Sequence, residues 1–246
     1  MAFPVVPVLL STVAAAAAAL IGYRYVSGGG DVAPFLSFGD PVSQFAAANQ
    51  IDPRLVQAVL AVESGDTALV SGKPVIRVEV HRLEREAKKQ GKTNELRKKL
   101  TRIPVSAKDE APWKNHLMDG APLHGQRGET LAQGQRRENE ALAYARDLLG
   151  DEAALRSTSI GLGQVMGFNA RAAGFPTALA MYEDAKRGRD AQRMQFLQFL
   201  ANDRDGATLA ALKAGNLPLF GQYYNGAKVG SKQNKNYVGK LKAAMV

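Results

Sequence analysis

The first 23 residues carry no charged side chain, and this feature divides the chain into two parts with different folding requirements. A helix of that length covers the roughly 30 Å hydrocarbon core of a membrane. The segment is nevertheless weakly apolar, because its centre is a run of six alanines at positions 14–19. We therefore predict that residues 1–26 form an N-terminal hydrophobic helix that inserts into a membrane only marginally.

Three interpretations of this segment compete. A cleaved signal peptide normally begins with basic residues and has a shorter apolar region. A permanent anchor is normally built from leucine, isoleucine and phenylalanine, and a buried soluble helix is the third possibility. The glycine-rich residues 27–34 form a flexible linker, which predicts that residues 35–246 fold as a separate domain.

The domain has a mainly helical pattern. Asp40-Pro41 and Asp52-Pro53 each combine an N-cap residue with a proline suited to the first helical turn. Apolar residues after Asp52 have the spacing of an amphipathic helix that ends near Gly65. The remaining pattern predicts a strand at 74–80, a helix-prone charged stretch at 82–102, an irregular region at 103–128, and helices at 129–149, 177–202 and 207–214.

Composition excludes several kinds of chemistry. Among 246 residues there is no cysteine, so disulfides, thiol catalysis and cysteine-ligated metals are excluded. The three histidines are not arranged at metal-ligand spacing such as His-x-x-x-His. We therefore predict that the protein does not use a metal ion.

The net charge of +9 favours a polyanionic partner, which could be nucleic acid, a membrane surface or a cell-wall polymer. Nine basic and three acidic residues lie in 82–102. We interpret this stretch as a solvated helical face rather than a specific binding site, because runs of charge are usually solvent-exposed. No nucleic-acid-binding motif is visible, so we do not expect nucleic acid as a partner.

Glu63 is the first candidate for catalysis. It follows Val56 by seven residues and Val59 by four, which places it on the apolar stripe of its helix. Desolvation there should raise its pKa, as a general acid requires. A structural glutamate paired with an arginine or a backbone group fits the same spacing equally well.

Two further segments contain candidate binding residues. Residues 157–169 combine hydroxyl groups and glycines with Gln164, which suits a loop that approaches a ligand closely. This loop lacks the lysine and the spacing of a phosphate-binding loop, so nucleotide binding is not expected. In residues 222–226, paired tyrosines precede an Asn-Gly turn, which alone would indicate a buried aromatic cluster.

The order of these three segments resembles the motifs of the lysozyme-like superfamily, which includes lytic transglycosylases and goose-type lysozymes. Glu63-Ser64-Gly65 is similar to its Glu-Ser pair, and Gly161-Leu162-Gly163-Gln164 is similar to its glycan-binding loop. Tyr223-Tyr224-Asn225-Gly226 is similar to the Tyr-Asn segment that supports the catalytic acid. The resemblance implies a mainly α, lysozyme-like α+β domain with a small β element.

A closer resemblance is to the phage N-acetylmuramidase (endolysin) family, and it extends over about residues 42–246. It rests on the segments 61–65, 74–81, 154–159, 164–169 and 224–226. Ile160 stands where this family usually has tryptophan, and Val78-Glu79-Val80-His81 where it usually has Phe-Glu-Gly-His. The resemblance implies hydrolysis of the β-1,4 bond between N-acetylmuramic acid and N-acetylglucosamine, without a cofactor, leading to lysis of the host cell.

The resemblance also assigns expected roles to individual residues. Glu63 would protonate the leaving glycosidic oxygen, and Glu79, or as second choice Asp66, would be the second carboxylate. The residues expected to position the glycan or Glu63 are Ser159, Gln164, Tyr224 and Asn225. Two alternatives remain: a lytic transglycosylase that needs only one acid, and a non-catalytic, membrane-tethered protein that binds the cell wall.

The alanine-rich N-terminal segment resembles a signal-arrest-release sequence, which holds such enzymes inactive at the membrane until the span escapes. This implies a protein located first in the inner membrane of the host, through residues 1–26, and then in the periplasm. Its expected partner is the peptidoglycan glycan strand, and we expect it to act as a monomer.

Overall fold

The structure is a computed structural model that describes residues 40–64, 67–102, 116–123 and 128–245. The predicted N-terminal helix, the linker at 27–34, and Asp66 lie outside these ranges. Within the ranges, no helix is both long enough and apolar enough to cross a membrane.

Helices make up most of the described chain. In chain order they are α1 (Pro41–Asn49), α2 (Pro53–Ser64), α3 (Val80–Lys89), α4 (Thr93–Arg97), α5 (Leu131–Leu149), α6 (Asp151–Arg156), α7 (Ala178–Ala185), α8 (Arg189–Asn202), α9 (Ala207–Lys213), α10 (Leu217–Asn225) and α11 (Lys232–Ala244). Short 3-10 helices lie at Gly167–Asn169 and Asp203–Gly206. The prediction of a mainly helical domain is confirmed.

The strands are short and form three small antiparallel sheets among the described residues. They are β1 (Leu69–Val70), β2 (Lys73–Pro74), β3 (Ile76–Val78), β4 (Leu100–Arg102), β5 (His116–Met118), β6 (Ala121–Pro122), β7 (Thr158–Ile160) and β8 (Val165–Met166). The strand orders are β1-β2, β3-β7-β8 and β4-β5-β6. In the second sheet, Ile76 pairs with Ile160 and Val78 with Thr158.

Both predicted Asp-Pro helix starts are confirmed. The Asp40 carboxylate accepts a hydrogen bond from Ser43 N–H at 3.1 Å, and the Asp52 carboxylate accepts one from Arg54 N–H at 2.9 Å. Each bond satisfies one of the backbone donors that a helix leaves unpaired at its N-terminus.

Three other element predictions are corrected. The single helix expected at 177–202 is broken at Gly188, whose φ of 106° is in the left-handed region. The charged stretch 82–102 is divided among α3, α4 and β4. The expected irregular region contains β5, which pairs with β4 through Leu100 and Met118.

The strand predicted at 74–80 is also too long. Glu79 N–H still donates to the Ser157 carbonyl at 2.9 Å, as a continuation of the sheet. The Glu79 carbonyl, however, accepts from Arg82 N–H at 2.8 Å and from Leu83 N–H at 3.1 Å. These bonds begin α3, so Val80 is helical and Glu79 lies at the junction of a strand and a helix.

Side chains of α5 form hydrogen bonds with the backbone groups of β3 on the edge that faces away from β7. Ile76 N–H donates to Gln135 Oε1 at 2.8 Å, and Gln135 Nε2 donates back to the Ile76 carbonyl at 2.9 Å. Val78 N–H donates to Glu138 Oε2 at 2.8 Å. Gln135 and Glu138 are both buried, and their three-residue spacing puts them on one face of the helix. The helix thus replaces a fourth strand, and it fixes β3 in place.

We expect Gln135→Met to destabilise the fold, because the thioether is similar in size but leaves the N–H and carbonyl of Ile76 without partners. Each buried unpaired group should reduce the free energy of unfolding by about 1–3 kcal/mol. Urea unfolding followed by circular dichroism measures this loss. The control is Glu140→Met on the exposed face of the same helix, and equal stability of the two variants would contradict this assignment.

Candidate active site

The Glu63 carboxylate lies near the C-terminal end of α2 and is directed toward α11. Tyr237 on α11 donates its hydroxyl hydrogen to Glu63 Oε1 at 2.8 Å. Burial raises the pKa of Glu63, against the opposing effects of this hydrogen bond and of the positive charges of Arg77 and Lys240. The rise in pKa predicted from the apolar stripe is therefore confirmed.

Tyr237 was not identified from the sequence. Its side chain is only 6% exposed, and burial raises its pKa, so the hydroxyl keeps its proton and remains a donor. Gly221 on α10 makes room for it, because a Cβ there would lie 3.1 Å from Tyr237 Cδ1. The available signal was the stripe of Asn234, Tyr237 and Leu241 in an otherwise basic helix.

Two of the predicted binding residues, Ser159 and Gln164, contact each other in the loop between β7 and β8. Ser159 Oγ donates to Gln164 Oε1 at 3.0 Å, and Gln164 Nε2 donates to the Gly161 carbonyl at 2.9 Å. Gln164 has a φ of 45°, an unusual conformation for a residue other than glycine. Both side chains therefore stabilise the shape of this loop.

The loop packs closely on α8. A Cβ at Gly163 would lie 2.5 Å from Phe196 Cδ2, so only glycine allows this approach. The buried Gln192 accepts from Leu162 N–H at 3.0 Å, and it donates to the carbonyls of Ala68 and Ala185 at 3.0 and 2.9 Å. Gln192 is a second residue that sequence reasoning missed, because its partners lie in three separate segments of the chain.

Tyr224 connects this loop to the region around Glu63. Its hydroxyl donates to the Gly163 carbonyl, and its ring stacks on Phe220 with the ring centroids 5.4 Å apart. Burial raises the pKa of Tyr224, and the negative charge of Glu63 adds to this effect. By contrast, Asn225 is exposed at the end of α10, where its Oδ1 accepts from Gln233 Nε2 at 3.3 Å.

Glu79 has a different environment from Glu63. Its Oε2 lies 3.4 Å from His81 Nδ1 and 4.0 Å from His116 Nδ1. Burial alone would favour the neutral carboxyl. The hydrogen bond with His81 and the charges of His116, His81 and Arg77 outweigh burial and lower the pKa of Glu79. The charge of Arg77 thus acts on both carboxylates.

The group formed by Glu79, His81 and His116 could also hold a metal ion. One potential ligand atom from each residue lies within 4.8 Å of the other two. Two imidazoles and one carboxylate are suitable ligands for a divalent transition metal. This group could not be predicted from sequence spacing, because β5, which contains His116, is positioned by its pairing with β4.

A buried glutamate with a raised pKa and an ionised glutamate in the same region define a candidate acid–base pair on a mainly helical fold. Residues 52–246 match the model of the N-acetylmuramidase family, and the chain belongs to this family. It is therefore a glycoside hydrolase.

One solved structure supports the same classification. The crystal structure of Burkholderia AP3 phage endolysin is 27% identical to this chain, with a TM-score of 0.58. The match covers 86% of this chain and 73% of that chain. No curated protein is significantly similar in sequence.

We expect Glu63→Gln to be more stable than the wild type at neutral pH. Burial places the folded-state pKa of Glu63 above its usual value of 4.5. Between these two pKa values, the folded state therefore binds more protons than the unfolded state. The free energy of unfolding of the wild type should therefore fall as the pH rises through the folded-state pKa, while that of the variant lacks this decline. Urea unfolding between pH 4 and 8 tests this, and an advantage of the variant that shrinks as the pH rises would refute it.

Proposed function

We propose that this chain is an endolysin that lyses its host by hydrolysing the β-1,4 bond between N-acetylmuramic acid and N-acetylglucosamine in peptidoglycan. Membership of the N-acetylmuramidase family and the likeness to a phage endolysin support this function. The observation that carries the mechanism is the opposite direction of the pKa shifts of Glu63 and Glu79.

Glu63 acts as the general acid in this mechanism. Because burial favours its protonated form, it holds a proton to donate to the glycosidic oxygen as the bond to the leaving sugar breaks. Tyr237 keeps the carboxyl in one orientation through its hydrogen bond to Oε1. Arg77 and Lys240 favour the carboxylate that remains after proton donation, since their positive charges lower its pKa.

Glu79 supplies the second carboxylate. Its lowered pKa keeps it ionised, so it can activate a water molecule or stabilise the positively charged sugar in the transition state. His81 and His116 restrict its orientation through their contacts with Oε2. Asp66 stays the second choice, on the basis of its position close to Glu63 in the sequence.

The loop between β7 and β8 forms a wall of the glycan-binding cleft in this proposal. Ser159 and Gln164 hold the loop conformation, and Tyr224 fixes the loop near Glu63 through the Gly163 carbonyl. The backbone at 161–164 is then available to approach the sugar closely. Exposed Asn225 contributes its amide group at the edge of this region.

The test compares Glu63→Gln, Glu79→Gln and Asp66→Asn on purified peptidoglycan. We expect Glu63→Gln to reduce the rate by about 10²–10⁴, the usual contribution of a general acid. Glu79→Gln should nearly eliminate activity, and Asp66→Asn should have a much smaller effect. Release of soluble fragments gives the rate, and unfolding curves confirm that each variant is folded.

Exposed Glu140→Gln on α5 is the matched control and should retain wild-type activity. Near-normal lysis by a folded Glu63→Gln protein would rule out the assigned acid. The reverse ranking of Glu79 and Asp66 would transfer the second role to Asp66. Mass spectrometry separates the alternatives, because a lytic transglycosylase releases anhydro sugars and a wall-binding protein releases no fragments.

We further propose that residues 1–26 form a signal-arrest-release segment, 27–34 a linker and 35–246 a monomeric catalytic domain. The uncharged length of the segment supports membrane insertion, and its alanine content supports later escape. The enzyme would then be located in the inner membrane of the host before release and in the periplasm afterwards.

Changing Ala15, Ala16 and Ala18 to leucine should retain the protein in the membrane. Each leucine contributes about −0.3 to −0.6 kcal/mol to insertion at the centre of a span, so the three together should favour insertion by about 1 kcal/mol or more. Cell fractionation with and without collapse of the membrane potential measures the distribution. Wild type should move to the soluble fraction at unchanged mass, whereas the variant should stay.

The control replaces Ala47, Ala48 and Ala210, which are exposed in the catalytic domain, with leucine. This variant should be released like the wild type, because the same change in composition lies outside the segment. A soluble wild-type form shortened by a leader of roughly 20–30 residues would instead show cleavage and exclude release of the intact chain.

A further inference from the structure

A groove of about 240 Å³ runs along α3, beside the candidate active site. One wall is formed by His81, Glu84, Arg85 and Lys88, whose spacing puts them on a single face of the helix. Thr93 and Arg97 from α4 and Arg102 from β4 complete the lining. We call this feature the α3 groove.

The α3 groove has an excess of positive charge. Glu84 accepts hydrogen bonds from Arg97 Nε at 3.1 Å and from Arg102 Nε at 2.7 Å, so one carboxylate faces two guanidinium groups. Among the described residues, neither Arg85 nor Lys88 forms a salt bridge with a carboxylate. The groove is therefore basic even with a neutral His81, and it can accept an anionic ligand.

The groove begins at the candidate active site. His81 lines the groove, and its Nδ1 lies 3.4 Å from Glu79 Oε2. At about 1.5 Å per residue, Lys88 lies roughly 10 Å farther along the helix axis than His81. An extended peptide of about three residues has this length. A ligand in the groove would thus extend away from the second carboxylate by the length of a short peptide.

We propose that the α3 groove binds the carboxylates of the acidic peptide that branches from N-acetylmuramic acid in the intact cell wall. This inference rests on the proposed function: the groove begins at Glu79, the proposed second carboxylate, so a glycan cleaved there would lie next to the groove. Arg85 and Lys88 pair with the carboxylates of the peptide, while Glu84 holds Arg97 and Arg102 in place. The enzyme therefore recognises both the sugar and its peptide.

The experiment measures kcat and KM of the full-length chain on two substrates. One is intact peptidoglycan, and the other is the same glycan after an amidase has removed its peptides. In the double variant Arg85→Gln/Lys88→Gln, KM on intact peptidoglycan should rise roughly three- to tenfold, as expected for the loss of two solvent-exposed ion pairs. On the peptide-free glycan, the variant and the wild type should have equal kcat and KM.

The matched control is Lys235→Gln/Lys242→Gln, which removes the same charge from exposed positions of α11 and should behave like the wild type on both substrates. Unchanged KM of the groove variant on intact peptidoglycan would overturn the inference. An equal loss on both substrates would overturn it too, because the groove would then serve the glycan or another polyanion.

These outcomes are distinct from failure of the proposed function. If the wild type cleaves neither substrate, hydrolysis itself is disproved. If it cleaves both and the groove variant discriminates between them as the wild type does, hydrolysis is supported and the peptide site is disproved. Raising the salt concentration provides a second readout, since it should reduce the wild-type preference for intact peptidoglycan through screening of the ion pairs.

Discussion

Desolvation of the Glu63 carboxylate is the constraint on which the site depends. A buried carboxylate is tolerated only when it is neutral or paired, and among the described residues the Tyr237 hydroxyl donates a hydrogen bond to it. Tyr237 reaches it because α11 packs against α2, and α11 lies close to α10 because Gly221 has no side chain. The consecutive helices α10 and α11 thus pack together with the distant helix α2 at this carboxyl group.

The pKa values of Glu63 and Glu79 shift in opposite directions because the two residues lie at different places in the fold. Glu63 ends a helix and is covered by another, so burial dominates its pKa. Glu79 lies between β3 and α3, where two imidazoles approach its carboxylate. Arg77 on β3 acts on both groups, and β3 is itself held by Gln135 and Glu138. The difference in pKa between Glu63 and Glu79 therefore depends in part on the position of the short strand β3.

Local patterns in the sequence were sufficient to predict the helical class, the two Asp-Pro helix starts and the buried position of Glu63, because each depends on neighbours within one or two turns. Residues such as Gln135, Gln192 and Tyr237 could not be found this way. Each is a polar side chain whose partner lies more than 50 residues away or in several separate segments. Ordinary helical periodicity marks such residues as buried, but it does not indicate which group they bind.

Most basic residues of the charged stretch 82–102 are exposed, as expected for a solvated face, but the stretch is not one continuous helix. Its residues were interpreted as one solvated face, which assumes one continuous helix. The chain instead turns back after α3, and α4 and β4 place Arg97 and Arg102 opposite Glu84. Folding thus brings basic residues from three elements together around one groove. α3 begins immediately after Glu79. The junction of β3 and α3 that positions this carboxylate therefore also sets the direction of the α3 groove, which extends away from Glu79.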